Sequence, residues 1–100
     1  MKDFPVQVPA EADFRRLEAT VEKCCREMGL VQAMKGTLAK YQGSVHWHYK
    51  KPRVSGTLEV TSWPLHGQLW ITVHEGRRAE WIEEALPTLK RYLEEAARSF

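Results

Sequence analysis

The sequence predicts an α+β domain, a two-layer sandwich in which a helix, a four-stranded antiparallel meander and a second helix follow one another, both helices on one sheet face. Three observations predict it. Residues 44–75 alternate apolar and polar side chains with a period of two in successive runs, as half-buried strands do. The flanking segments instead space their apolar residues by three and four, as helices packed on a core do. The breaks between the runs, Pro52 to Gly56 and Pro64 to Gly67, hold turn residues.

At the amino end, Phe4, Val6 and Val8 alternate with Pro5, Gln7 and Pro9. Prolines bar such a segment from the middle of a sheet, so residues 1–9 read as an edge strand or an extended arm. A helix then opens at Pro9 or Ala10, with Glu11 and Asp13 in its first turn opposing the positive end of the helix dipole. Phe14, Leu17, Val21, Cys24 and Met28 form its apolar stripe, and Gly29 stops it. Between Leu30 and Tyr41 a first strand is expected, its Met34, Gly36 and Leu38 inward, with Gln42-Gly43 as a two-residue hairpin turn.

The next run sets Val45, Trp47 and Tyr49 inward against Ser44, His46, His48 and Lys50. Leu58 and Val60 then alternate with Thr57, Glu59, Thr61 and Trp63, and Leu69, Ile71 and Val73 with Gln68, Trp70, Thr72 and His74. Glu75-Gly76 ends the sheet. A second helix starts near Ala79 and buries Ile82, Ala85, Leu86, Leu89, Leu93, Ala96 and Phe100, with a kink or break expected at Pro87. Burying such side chains contributes about 1.5 to 3 kcal/mol each, so no disulfide or metal is needed for folding.

The chain has 100 residues, enough for one domain, and its 15 basic against 13 acidic residues leave a formal charge of +2. That near balance points neither to a nucleic-acid-binding tail nor to an acidic solvating segment. Cys24 and Cys25 are adjacent in a helical pattern, where a mutual disulfide is geometrically poor, and no spaced Cys/His set suggests zinc. A reducing cytoplasm fits them. The start has no signal-peptide pattern, and no apolar run is long enough to span a membrane.

Cross-strand pairing lays out the outer sheet face as rows: Ala39, His46, Thr61, Trp70; then Thr37, His48, Glu59, Thr72; then Lys35, Lys50, Thr57, His74, with Trp63 at the rim. The leading expectation for this face is protein association, above all a homodimer, through Trp63 and Trp70 with His46, His48, Thr61 and Thr72, because aromatic patches poor in charge mark interface centres. The alternative is single-stranded nucleic acid, with bases stacked on the aromatic residues and Lys35, Lys50, Lys51 and Arg53 holding phosphates. The element order is similar in outline to that of double-stranded RNA-binding domains, but the chain departs from them by a fourth strand and by Arg77-Arg78-Ala79-Glu80 at the second helix start. No residue role is carried over.

A further candidate is a metal site built from His46, His48, Glu59 and His74, whose donor types suit zinc or another divalent ion. The obstacle is distance, because His48 and His74 lie two strands apart. Arg77 and Arg78 near a helix start are candidates for holding an anion, and the space between the sheet and a kinked second helix is a candidate small-molecule site. No nucleophile-base pair, glycine-rich phosphate loop or paired carboxylates signal catalysis, so a non-enzymatic domain without a cofactor is expected.

Overall fold

In the computed structural model, residues 2–74, 76 and 79–99 are described. The chain runs as β1 (Lys2–Pro5), α1 (Phe14–Glu27), β2 (Val31–Gly36), β3 (Val45–Lys50), β4 (Leu58–Trp63), β5 (Gln68–Val73) and α2 (Glu80–Ala97). This is an α+β arrangement with one antiparallel sheet in the order β1-β5-β4-β3-β2. The sheet therefore has five strands rather than four. The amino-terminal segment is the fifth, pairing Lys2 with Val73 and Phe4 with Ile71 along the outer edge of β5. Its prolines are tolerated there because an edge strand need not offer every backbone donor to a neighbour.

The inward residues are those the alternation singles out. Trp47, Tyr49, Leu58, Val60, Leu69, Ile71 and Val73 are buried, and the buried residues of both helices join them in one hydrophobic cluster. Helix α1 starts later than expected. Asp13 is its N-cap, with Oδ1 accepting from the backbone N–H groups of Arg15 and Arg16, so neither Glu11 nor Asp13 occupies the first turn. Gly29, at φ 77°, ends the helix in the left-handed conformation that a β-carbon disfavours.

Helix α2 is continuous through Pro87, so no break occurs there. The proline ring is exposed, while Ile82, Ala85, Leu89 and Leu93 hold the opposite side on the core. Ala97 is buried in place of Ala96, and Phe100 lies outside the described residues. Trp81 also joins the core, its indole N–H donating to the Ser55 carbonyl at 2.8 Å.

The hairpin joining β2 to β3 differs most from expectation. Its loop spans residues 37–44 rather than turning at Gln42-Gly43, and Gly36 pairs with His46 and Lys35 with Trp47. A bulge between Gln32 and Met34 shifts the register further along. Because side chains alternate faces, this inverts β2 relative to the expected map. Met34 now lies opposite His48, and Lys35 turns to the helical layer, where its Nζ is 2.8 Å from both Glu18 and Glu22 carboxylates of α1. Leu38 sits in the loop, outside any strand.

Candidate metal centre on the polar sheet face

The polar face is centred on β4, the middle strand of the sheet. Its register with both neighbours matches the expected rows: His46, Thr61 and Trp70 align, as do His48, Glu59 and Thr72, and Trp63 pairs with Gln68. Of the third row, Lys50 and Thr57 come together, Lys50 Nζ donating to Thr57 Oγ1 at 3.0 Å. Lys35, Thr37 and Ala39 do not belong to these rows, for the reason given above.

His46 and His48 are two residues apart on β3, so the strand pleat sends both imidazoles to the same side. Glu59 faces them from β4 and is only 5% exposed, although a central strand is a costly place for a carboxylate. Three imidazoles converge on it. His46 Nε2 is 3.1 Å and His48 Nε2 is 3.5 Å from Glu59 Oε1, and His74 Nε2 is 2.9 Å from Oε2. The two-strand gap that separates His48 from His74 is thus bridged by Glu59, which stands between them. The Nε2 atoms of His46 and His48 are themselves 3.1 Å apart.

His46 Nε2, His48 Nε2 and Glu59 Oε1 consequently form a triangle with edges of 3.1, 3.1 and 3.5 Å. Donors held about 2.0 to 2.2 Å from a single ion are separated by about 2.9 to 3.5 Å, depending on the bond angle. The triangle has that size. A single proton on His46 Nε2 serves the two short edges but leaves the His48 Nε2 and Glu59 Oε1 lone pairs facing each other at 3.5 Å. A cation at the centre satisfies all three edges together.

His46, His48 and Glu59 make the compact donor set, while His74 approaches the other carboxylate oxygen, Oε2, at ion-pair distance but without hydrogen-bond geometry. On the far side of the His46 ring, Nδ1 is 2.7 Å from Thr61 Oγ1, and Thr61 is buried. Burial lowers the His46 pKa, against the opposing pull of Glu59 and with help from the nearby His48. That shift disfavours the charged ring, and it is the neutral ring that carries a lone pair for a metal.

The tryptophans proposed for the interface are already engaged within the chain. The Tyr41 ring, carried by the 37–44 loop, lies 4.8 Å from Trp63 and 5.2 Å from Trp70 between ring centres. Trp63 also donates its indole N–H to the Gln42 carbonyl at 2.9 Å and packs 4.0 Å from the His66 ring. Both indoles are half-buried. Thr72, expected to face a partner, is buried and donates to Asp3 Oδ1 at 2.7 Å. Asp3 and Tyr41 were missing from the map because neither the edge pairing of β1 nor the fold of the 37–44 loop can be read from alternation.

Arg77 and Arg78, the candidate anion site, lie outside the described residues, as does Glu75. Cys24 and Cys25 are free and buried. No helix among the described residues is long and apolar enough to cross a membrane. Comparison with protein-family models, with curated proteins and with solved structures finds no match for this chain.

Proposed function

We propose that this chain is a metal-binding α+β domain that holds one divalent transition-metal ion on its sheet face through His46 Nε2, His48 Nε2 and Glu59 Oε1. The observation that carries the reading is the donor triangle, whose three edges match the spacing of ligands around a single ion. The surroundings support it. Two imidazoles and one carboxylate suit zinc, iron, cobalt or nickel better than calcium or magnesium, which prefer all-oxygen shells. Thr61 accepts from His46 Nδ1–H in the tautomer that aims the Nε2 lone pair inward, and His74 lies beside the other carboxylate oxygen. A structural role is not required of the ion, because the hydrophobic cluster lies on the other side of the sheet.

Association through Trp63 and Trp70 has weaker support, since both rings are packed against Tyr41. Nucleic-acid binding has less, since Lys35 is committed to Glu18 and Glu22 and turns away from this face. The free buried thiols favour a reducing, cytoplasmic location. Isothermal titration of the chelator-treated chain with zinc and cobalt tests the proposal. One ion should bind per chain, with binding lost in Glu59→Gln and in His48→Ala. Failure of both metals to bind, or undiminished binding in both variants, refutes it; light scattering on the same samples reads whether any association depends on the metal.

A further inference from the structure

Resting on that reading, we infer that the bound ion keeps an open coordination position that takes a small oxyanion, a carboxylate or phosphate group, with Lys50 as its counter-charge. Three protein donors leave a transition metal short of its usual four to six ligands. Of the three donors, His48 is the most exposed and the one that lines a surface cleft. The side chains of His46 and Glu59 are 6% and 7% exposed, whereas that of His48 is 23% exposed. On the His48 side the surface opens into a cleft of about 440 Å³ lined by His48, Lys50, Gly56, Thr57 and Gly76.

The chemistry of the cleft selects an anion. Lys50 follows His48 by two residues on the same face of β3, so its Cα lies about 6.4 to 6.8 Å farther along the strand. From there its flexible four-carbon stem reaches Thr57 Oγ1, at 3.0 Å, on the floor of the cleft. A divalent ion with two neutral imidazoles and one carboxylate carries one net positive charge, and Lys50, which lines the same cleft as His48, adds a second among the described residues. A ligand oxygen on the metal, with a second oxygen accepting from Lys50 Nζ or the Thr57 hydroxyl, sets the anion between both positive groups; a carboxylate offsets one of the two charges and a doubly charged phosphate both. The two glycines bring bare backbone to the wall and leave room for such a group.

The test uses the full chain loaded with cobalt(II), whose visible absorption bands report its coordination. Acetate and inorganic phosphate are titrated separately, which distinguishes a carboxylate from a phosphate ligand. The expected result is a saturable band shift with at least one of them. Lys50→Ala and Lys50→Gln should weaken that anion about tenfold, the effect of one charge-assisted contact, with cobalt affinity kept within about twofold; Lys50→Arg should keep most of the anion affinity. Cobalt bound with bands that neither anion shifts overturns the inference and leaves the metal site standing. A shift that survives both neutral substitutions overturns the role of Lys50. If cobalt does not bind at all, the metal reading fails first and this inference falls with it.

Discussion

Replacing Thr61 by valine keeps the shape of the side chain and removes one oxygen, so it isolates what that oxygen does for the metal. In the structure Thr61 Oγ1 lies 2.7 Å from His46 Nδ1, and both residues are buried. Without it the imidazole loses the partner that selects its tautomer and fixes its rotation, and a buried ring nitrogen is left to find another acceptor. Loss of a partner behind a histidine ligand typically costs 10- to 100-fold in metal affinity, or about 1.4 to 2.7 kcal/mol. The stranded ring N–H should destabilise the metal-free fold by about 1 to 3 kcal/mol as well. Zinc competition with a chromophoric chelator measures the first quantity and urea unfolding of the chelator-treated protein the second. An affinity within about twofold of the parent would refute the assignment of Thr61 as the group that orients His46.

Two further outcomes concern the scaffold. Glu22 Oε2 accepts from the indole N–H of the fully buried Trp47 at 2.9 Å, so Glu22→Ala should cost about 1 to 3 kcal/mol and lower the Tm by several degrees, whereas Glu22→Gln should cost less because its amide oxygen still accepts. Burial pushes the Glu22 carboxyl up, but hydrogen bonds from Lys35 and Trp47 outweigh this and hold its pKa below the ordinary value. A depressed folded pKa adds stability above the unfolded value, and this share is lost as pH falls through the folded one; urea titrations below pH 5 should therefore show a shallower acid loss in Glu22→Gln than in the parent. Burial also raises Cys24 to about 11 and Cys25 to about 12, so a thiol reagent at pH 8 should react at the rate of unfolding and not before; prompt labelling of the native protein would contradict the packing of α1.

Alternation along the chain was enough to determine β3, β4 and β5, their mutual register and their inward residues, because a strand with one buried face has no freedom to slip by one residue without exposing its core. It also placed His46, His48 and Glu59 on one surface, since residues of like parity in paired strands share a face. The two helices were legible from their stripes for the same reason, although Asp13 moved the start of α1 by competing successfully for the cap. What alternation does not encode is the path of a loop. The eight residues from 37 to 44 and the bulge near Ala33 set the face on which Lys35 and Met34 lie, and only the ion pairs from Lys35 to Glu18 and Glu22, contacts distant in sequence, settle that choice. The capping of Trp63 and Trp70 by Tyr41 and the edge pairing of β1 are of the same kind. So is the candidate metal centre: residue order supplies three histidines and a carboxylate on or just beyond adjacent strands, but the convergence of their donor atoms to within 3.5 Å or less of Glu59 depends on rotamers that the burial of Glu59 and the Thr61 hydroxyl select in the folded sheet.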